Sequence, residues 1–443
     1  MSSHNPSHAG TSPPAAPAGA GAGALAPVVA AFLGDNQHIR VTAYDGSAAG
    51  PDHAHYGLHL ANARAVAQLL YAPGELGLAR AYVAGDLEVV GVHPADPYPL
   101  LAHLLTDLRV RIPAPRALVQ ALRTIGAQNL RPAAPPPQEH RPRWRRLAAG
   151  LVHSRFRDAE AIERHYDVSN TFYRQVLGPS MTYTCAVFPT PDATLDDAQD
   201  NKHRLVFDKL GLEPGQRLLD IGCGWGAMVL YAARRGVHAL GVTLSHEQAQ
   251  WAQKAIAEQG LGHLVEVRYC DYRDVTDRGF DAISSIGMAE HVGVRHLPDY
   301  FTFLGRALRP GGRLLNHCIT RPNNTGRTRA GAFIDRYVFP DGELTGAGRL
   351  IAAAQDTGLE VQHEENLREH YALTLRSWGA NLTENWDAAV AEVGEPTARV
   401  WGLYMAGSRL GFERNLVQLH QVLAVKPDDN GGAAVPLRPW WRP

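Results

Sequence analysis

A hydrophobic segment that runs into closely spaced glycines is the feature that most constrains the fold of this chain. Residues 217–221 have the composition of a buried strand, and they are followed by Gly222, Gly224 and Gly226. Because glycine has no Cβ, such a loop lets a ligand approach the bare backbone at the start of a helix. The sequence therefore predicts a strand, a ligand-binding turn and a helix here. The alternative is a turn that serves packing alone.

The segments around this turn alternate between short apolar runs and longer amphipathic runs. Strands separated by helices form a parallel sheet with helices on both faces. The predicted fold is therefore α/β, with the glycine turn at the carboxyl end of the first strand, where such sheets bind nucleotides. Strands are predicted at 217–221, 238–243, 264–269, 280–286 and 312–319, and helices at 226–235, 246–259 and 297–308.

The spacing inside the turn narrows the class of ligand. It reads Gly-x-Gly-x-Gly and lacks the third glycine of the dinucleotide fingerprint, Gly-x-Gly-x-x-Gly. In addition, the acid Asp220 stands two residues before the first glycine. This arrangement favours a class I S-adenosylmethionine-dependent methyltransferase, which has a Rossmann-like domain, over a dehydrogenase.

Composition divides the chain into five parts. The first is rich in Ala, Gly, Pro and Ser without a charged segment before an apolar core, which predicts a disordered tail and not a signal peptide. A later Pro/Arg-rich stretch disfavours packed structure and is typical of a linker. The predicted parts are a tail over 1–30, a small N-terminal α+β domain over 31–130 (with a strand at 38–44 and a helix at 61–70), the linker over 131–150, the methyltransferase domain over 151–430 and a flexible C-terminal tail over 431–443.

The charge of the chain is nearly balanced overall but uneven locally. A net charge of −1 provides no global field for nucleic acid, so no nucleic-acid partner is expected. Between Arg109 and Arg157, however, there are eleven arginines and a single acid, Glu139. This segment is either a solvated linker or a surface for anionic phospholipid headgroups, at roughly 1 kcal/mol per basic residue near a membrane.

The cysteines and the hydropathy of the chain indicate in which cellular compartment the protein is found. Cys185, Cys223, Cys270 and Cys318 show neither a Cys-x-x-Cys pair nor a metal-ligand spacing, so we expect reduced thiols in a cytoplasmic protein and no metal. No apolar run approaches the roughly 20 residues of a membrane-spanning helix. Any contact with the inner face of the cell membrane is therefore expected to be peripheral.

Five further segments carry polar residues in a characteristic order. They are His165-Tyr-Asp-Val-Ser-Asn170, Met181-Thr-Tyr-Thr-Cys185, Gly241-Val-Thr-Leu-Ser-His-Glu-Gln248, Cys270-Asp-Tyr-Arg-Asp274 and Ile286-Gly-Met-Ala-Glu-His-Val-Gly293. With the glycine turn, they make residues 155–425 resemble the cyclopropane-fatty-acyl-phospholipid synthase family, which includes the mycolic acid cyclopropane synthases. The N-terminal portion resembles the extra domain of the longer bacterial members.

The resemblance implies a set of contacts to S-adenosylmethionine. At the end of the second strand, many methyltransferases have an acid that binds the ribose of the cofactor. This chain has Thr243-Leu-Ser245 there instead, as does the family that it resembles. An ordinary helix start with Ser245 as its N-cap is the alternative interpretation there. The implied cofactor-binding residues are Tyr183, Thr184, Asp220, Gly222, Gly224, Gly226, Thr243, Gln248, Asp271 and Tyr272.

The resemblance also implies a bound bicarbonate ion that serves as general base. The matching positions are Cys185, Glu290, His317 and Tyr371. An alkene that attacks the sulfonium methyl group leaves a carbocation, and a proton must then be removed in a dry pocket. Glu290 could instead be a solvent-exposed residue at a strand end, His317 a hydrogen-bonded core residue and Cys185 a small core hydrophobe.

Aromatic faces could stabilise such a cation by up to ~2 kcal/mol. The candidates, chosen by residue type, are Tyr371, Tyr166, Trp225 and Phe333. One position departs from the family pattern, since Ser408 stands where members commonly have a second active-site cysteine. This serine argues against obligatory thiol chemistry there and slightly favours a methylene product over a cyclopropane.

The sequence thus predicts transfer of a one-carbon unit from S-adenosylmethionine to the cis double bond of an unsaturated phospholipid acyl chain. The product is a cyclopropane or a methylene fatty acid, the latter a precursor of a methyl branch made with a reductase partner. Two alternatives stay open: a methyltransferase of the same fold acting on O, N or S of a small molecule, and a non-catalytic lipid- or cofactor-binding module.

Overall fold

The computed structural model describes residues 25–33, 38–72, 74–107, 131–140, 169–325, 328–329, 331–340 and 342–442. Most of the arginine-rich segment 109–157 and the predicted cation-stabilising Tyr166 lie outside these ranges. The chain forms two compact units. One comprises Met1–Gly91 and His103–Ala134, and the other Val92–Ala102 and Pro135–Pro443.

The first unit is built on a four-stranded sheet in the order β2-β1-β3-β4. β1 and β3 are parallel, and the other two pairs are antiparallel. Asn62 caps α2 by accepting a hydrogen bond from the backbone N–H of Arg64, which fixes where the predicted helix begins. The elements are α1 (Leu25–Leu33), β1 (Ile39–Ala43), β2 (Ala48–Ala49), β3 (Tyr56–Leu60), α2 (Ala63–Tyr71), α3 (Glu75–Val83) and β4 (Leu87–Val90); α4 (Tyr98–Asp107) begins in the second unit.

The second unit contains a seven-stranded sheet in the order β12-β13-β9-β8-β5-β6-β7. β13 runs antiparallel to both of its neighbours, and the remaining pairings are parallel. Its strands are β5 (Arg217–Ile221), β6 (His238–Thr243), β7 (Val265–Tyr269), β8 (Phe280–Ile286), β9 (Leu308–Thr320), β12 (Glu360–Asn366) and β13 (Gln418–Val425); a separate two-stranded ribbon consists of β10 (Thr328–Arg329) and β11 (Glu343–Leu344).

Helices connect these strands and cover the sheet. The predicted helices of the glycine-turn region are observed within a few residues of their expected bounds. The helices are α5 (Asn170–Leu177), α6 (Leu195–Leu210), α7 (Ala227–Ala233), α8 (His246–Glu258), α9 (Ala289–Val292), α10 (Leu297–Ala307), α11 (Ala332–Tyr337), α12 (Ala347–Asp356), α13 (Arg368–Glu384), α14 (Trp386–Val393) and α15 (Glu395–Glu413).

Successive residues of β5 enter apolar clusters on opposite faces of the sheet. Leu218 packs with Val206 of α6 and Val229 of α7. Leu219 packs on the other face with Leu304 of α10 and Leu350 of α12. Both faces are therefore buried, as a strand without polar alternation requires. The α/β prediction is confirmed.

The predicted linker is packed where it is described. The side chain of Glu139 is fully buried and forms an ion pair with Arg336, and the backbone N–H of His140 donates to the carbonyl of Arg336 at 2.7 Å. A carboxylate is stable in the interior only with such a partner. The expectation that this composition stays unpacked is wrong for these residues.

Two further boundaries differ from expectation. Val92–Ala102 belongs to the second unit, where the backbone of Pro94 lies so close to Gly402 of α15 that a Cβ there would meet its carbonyl at 2.5 Å. At the C-terminus, Trp440 donates to the carbonyl of Asp208 at 2.9 Å and stacks under Arg313 at 4.2 Å. The interpretation of 431–443 as a flexible tail does not hold for this tryptophan.

No helix within the ranges given above is long and apolar enough to cross a membrane. Among the same residues, no group of three or more His, Cys, Asp or Glu side chains is placed to hold a metal ion.

Candidate active site

The glycine turn lies at the carboxyl end of β5, and its glycines have different roles. All of them adopt positive φ, which favours glycine. A Cβ added at Gly224 would meet no heavy atom within 4 Å, so this backbone faces open space. A Cβ at Gly226 would lie 3.0 Å from the Cβ of Ala252 in α8. Gly224 therefore leaves room for a ligand, whereas Gly226 permits close helix packing.

Asp220 is held beneath the turn. It is almost completely buried, and Ser284 Oγ donates to its Oδ1 at 2.6 Å. Burial raises the pKa of Asp220 to about 6, against the opposing effects of the Ser284 hydrogen bond and the positive charge of Lys202. A carboxylate in this position can orient donors around a cofactor while it stays protected from solvent.

At the end of β6, the structure shows the helix N-cap that was one interpretation of the sequence, and it places the predicted cofactor-binding residues beside that cap. Ser245 caps α8 by accepting a hydrogen bond from the N–H of Gln248 at 3.2 Å. Thr243 Oγ1 donates to Oε1 of the same Gln248 at 2.7 Å, and both side chains are buried. The pair is thus positioned at the strand end, and cofactor contact by it stays a prediction.

In the segment after β7, the predicted cofactor-binding residues Asp271 and Tyr272 already have partners within the protein. Arg273 donates to both carboxylate oxygens of Asp271, at 2.8 and 2.5 Å. The ring of Tyr272 packs edge-on against Tyr300, with centroids 5.2 Å apart. Asp271 therefore carries an internal ion pair, and any cofactor contact through this carboxylate would have to share it with Arg273.

Helix α6 positions the segment of Tyr183 and Thr184. Gln199 Nε2 donates to the carbonyl of Thr184 at 2.9 Å, and Lys202 Nζ donates to Thr184 Oγ1 at 3.0 Å. The hydroxyl of Tyr183 donates to that of Tyr404 at 3.1 Å. Hydrogen bonds from α6 therefore hold Thr184, and the hydrogen bond that Tyr183 donates to α15 holds Tyr183.

Aromatic rings line the same region. Tyr183 lies 5.3 Å from Trp378 and 5.6 Å from Trp401, measured between ring centroids. Tyr173 contacts Trp401 at 5.3 Å and also contacts Trp225 of the glycine turn at 4.8 Å. The predicted candidate Trp225 thus belongs to an aromatic cluster that joins the turn to α13 and α15.

Cys185 and Tyr371 are brought together by the start of α13. Cys185 Sγ lies 3.8 Å from the carbonyl of Leu367, which also accepts the N–H of Tyr371 at 3.2 Å. Burial raises the pKa of the Cys185 thiol well above its usual range, so it stays protonated. Tyr371 is buried, with its ring 4.4 Å from that of Phe412.

Glu290 and His317 are neighbours across β8 and β9. Ile286 pairs with His317, and the N–H of Gly287 donates to the carbonyl of His317 at 2.8 Å. Glu290 lies three residues after Gly287, in α9, and its Oε1 accepts a hydrogen bond from the N–H of Ile319 at 3.4 Å. The interpretation of Glu290 as a solvent-exposed strand end is therefore excluded for its carboxylate.

Each of these two residues has a buried polar atom to spare. Glu290 Oε2 and His317 Nε2 have no hydrogen-bond partner among the described residues. Burial raises the pKa of Glu290 to about 7 and, with the charges of Lys202 and Lys209, holds the pKa of His317 well below its usual value. Unsatisfied buried polar groups are costly, and a pair of them indicates a place for a polar ligand.

Two other predicted residues lie at the margin of this arrangement. Ser408 is partly exposed and stands one helical turn beyond Tyr404 on α15. Phe333 is buried and stacks on Tyr337 within α11, with centroids 5.2 Å apart. In the described part of the chain, neither forms a hydrogen bond or a ring contact with Glu290 or His317, and their roles stay predictions.

The sequence interpretation missed several buried polar residues of the described chain, among them Lys202, Lys209 and Gln421. Lys202 lies on the buried face of α6, three residues after Gln199. Polar residues at helical spacing on an otherwise apolar face were the signal that could have identified it. Gln421 sits inside an apolar strand, where a single amide is the corresponding signal.

Residues 153–422 match the mycolic acid cyclopropane synthetase family. The chain belongs to this family. It is accordingly an S-adenosylmethionine-dependent methyltransferase of class I, as the sequence predicted.

The proteins similar to this chain cover different shares of it. A probable fatty acid methyltransferase of Mycobacterium tuberculosis is 61% identical over 95% of this chain and 98% of its own length. The tuberculostearic acid methyltransferase of the same organism is 35% identical over 86% of each chain. The crystal structure of mycolic acid cyclopropane synthase CmaA1, complexed with SAH and CTAB, is 32% identical, with a TM-score of 0.57 over 60% of this chain and 97% of that one.

Proposed function

We propose that the protein transfers a one-carbon unit from S-adenosylmethionine to the cis double bond of an unsaturated phospholipid acyl chain, through a carbocation. The observation that carries the proposal is the buried pair of Glu290 Oε2 and His317 Nε2, both without partners among the described residues. The names of the relatives, which refer to fatty acid and mycolic acid modification, support the lipid substrate.

The residues around the glycine turn fit the cofactor. Gly224 presents backbone to open space, and buried Asp220, Thr243 and Gln248 provide polar groups at the ends of neighbouring strands. S-adenosylmethionine supplies an electrophilic methyl group that needs no further activation. The protein therefore has to position the double bond and exclude water, for which the aromatic cluster around Tyr183 is suited.

The same buried pair fits a bicarbonate ion. His317 Nε2 can donate a hydrogen bond to an anion, and Glu290 Oε2 can accept one from its hydroxyl group. Cys185 and Tyr371 are the remaining proposed members of this site. Bound bicarbonate would supply a small base for the departing proton. A solvent-free pocket suits this task, because water would otherwise capture the cation.

The product is proposed to be a cyclopropane or an exocyclic methylene. In the first case the cation loses a proton from the newly attached methyl group and the ring closes. In the second, a hydride first shifts from the methylated carbon to its neighbour, and the proton is then lost from the same methyl group. Ser408 favours the methylene, whose conversion to a methyl branch would require a separate reductase as partner.

Peripheral docking on an anionic membrane from the cytoplasmic side is proposed for the arginine-rich segment between Arg109 and Arg157. Binding to vesicles containing phosphatidylglycerol should weaken steeply as salt rises, because the Debye length falls from about 10 Å at 0.1 M to about 3 Å at 1 M. Binding that is independent of salt would exclude electrostatic docking.

Expression in a host whose phospholipids are rich in oleoyl chains tests the function. Fatty acid methyl esters from these cells should contain a new species one methylene heavier than oleate. Chromatography or proton NMR then separates cyclopropane from methylene isomers. A small-molecule methyltransferase, the second candidate, would leave the fatty acid profile unchanged.

The Glu290→Gln variant tests the site in the same host. It should lose roughly a hundredfold or more of the lipid product while SAH binding is retained, since proton removal typically contributes that much. Glu384→Gln, an exposed glutamate on α13, is the matched control. Full activity of Glu290→Gln would contradict the proposed base site.

A further inference from the structure

A row of polar side chains crosses the sheet beside the proposed base site. In the strand register, Glu365 of β12 is opposite Gln421 of β13, and Gln421 is opposite His317 of β9. Residues directly opposite each other on neighbouring strands project from the same face. We call Glu365, Gln421 and His317 the polar row. Gln421 and His317 are completely buried.

Lys209 of α6 fixes one end of the row. Its ammonium group is fully buried and donates to Glu365 Oε2 at 2.5 Å and to Gln421 Oε1 at 2.7 Å. An ammonium group can only donate hydrogen bonds. The atom of the Gln421 amide that faces Lys209 must therefore be the oxygen.

The orientation of this amide determines the protonation of the imidazole. With its oxygen on Lys209, Gln421 presents its NH₂ group to His317 Nδ1 at 3.1 Å. The NH₂ group donates, so Nδ1 must accept and carries no proton. In a neutral imidazole the proton is then on Nε2. This nitrogen is the buried atom of His317 that has no partner in the described part of the chain.

From this geometry we infer that Gln421 and Lys209 are positioning residues that hold His317 as the Nε2–H tautomer, so that it donates a hydrogen bond to an anion beside Glu290. Neither residue touches the reacting atoms. The inference rests on the proposed function only for the identity of the anion.

A purely structural role explains the row poorly. The buried Lys209 ammonium group and the buried Gln421 amide carry a desolvation cost that the partly exposed Glu365 offsets only in part, and apolar residues of similar volume often stabilise a protein as well or better. Selection of one tautomer explains why these polar groups are present despite their cost, because the opposite tautomer would direct a lone pair at the anion. Partners in the same position behind metal-binding histidines have this effect.

The state of His317 can be observed directly in the intact protein by ¹⁵N NMR with labelled histidine. The protonated and bare ring nitrogens differ in chemical shift, and the His317 signals are identified by their loss in His317→Gln. The wild type should show a bare Nδ1 and a protonated Nε2. A proton on Nδ1 in the neutral ring would overturn the inference without any variant.

Two substitutions and a control test the role of Gln421. Gln421→Leu should replace the single tautomer by a mixture, and Gln421→Glu, whose carboxylate accepts from both sides, should move the proton to Nδ1. Gln418→Leu removes an amide from the same strand outside the row and should leave the His317 signals unchanged. A wild-type pattern in both Gln421 variants would contradict the positioning role.

Titration with sodium bicarbonate, after depletion under argon, separates this inference from the proposed function. The Nε2 signal of the wild type should shift on binding, and Gln421→Leu should require a roughly tenfold higher concentration. Equal affinity in both proteins would overturn the positioning role. If the wild type shows the Nε2–H signal but its chemical shift does not change with bicarbonate, the tautomer assignment is supported and bicarbonate as the base is contradicted.

Discussion

The ammonium group of Lys202 donates to the hydroxyl of Thr184 at 3.0 Å, and the lysine is almost completely buried. Burial lowers the pKa of Lys202 to about 7, although the nearby Cys185 and Asp220 oppose this shift. One cation thus connects a predicted cofactor-contact residue with the carboxylate beneath the glycine turn.

Replacing this lysine should weaken cofactor binding. In Lys202→Met, Thr184 loses its donor and buried Asp220 loses the nearby positive charge, so we expect roughly tenfold weaker SAH binding, since a hydrogen bond to a charged group contributes about 1.5 kcal/mol or more. Isothermal titration calorimetry measures this loss. Lys254→Met, on the exposed face of α8, is the matched control. Equal SAH affinity in both variants would contradict a role for Lys202.

In the glycine turn, alanine substitutions at Gly224 and Gly226 should impair different properties of the protein. Alanine at Gly224 meets open space, so Gly224→Ala should reduce SAH affinity more than stability. Alanine at Gly226 approaches Ala252 to 3.0 Å, so Gly226→Ala should lower the melting temperature more strongly. Both carry a similar cost of about 1 kcal/mol for positive φ, which cancels in the comparison. Calorimetry and thermal unfolding of both proteins give the result, and the reverse ranking would contradict it.

The raised pKa of Glu290 makes a prediction about pH. Its ordinary value of 4.5 rises to about 7 in the folded protein because of burial. The folded state therefore binds the proton more tightly, and stability due to Glu290 falls as the pH rises from about 4.5 to about 7. Gln cannot titrate, so Glu290→Gln should gain stability relative to wild type across this window.

The gain should be negligible near pH 4.5 and reach at most about 3 kcal/mol at pH 8. Melting temperatures of wild type and variant, measured in bicarbonate-free buffer at both ends of the window, provide the test. Glu384→Gln, which is exposed, should show no such trend. A difference independent of pH would exclude a strongly raised pKa.

Much of the fold could be predicted because the signals are local. The strands at 217–221, 238–243 and 280–286 are observed with the expected bounds, since apolar runs and glycine turns specify them directly. The position of β13 could not be predicted in this way. It is the last strand of the sheet along the chain, yet it inserts between β9 and β12.

In the candidate site, too, the residues carried by local patterns could be predicted and the long-range contacts could not. The Glu290 and His317 neighbourhood follows from adjacent parallel strands, and the resemblance supplied both residues. Gln421 reaches His317 across 104 positions of sequence, and Glu139 reaches Arg336 across 197. Such contacts depend on tertiary packing, which neither periodicity nor spacing encodes.

The most direct test of the central claim uses S-adenosylmethionine with a trideuterated methyl group and vesicles of dioleoyl phospholipid. Mass spectrometry of the released fatty acids should show a methylated acyl chain that has lost one deuterium, because both proposed products form by loss of a proton from the transferred methyl group. Unmodified oleoyl chains under conditions where the cofactor binds, or a methyl group that keeps all of its deuterium, would contradict the account.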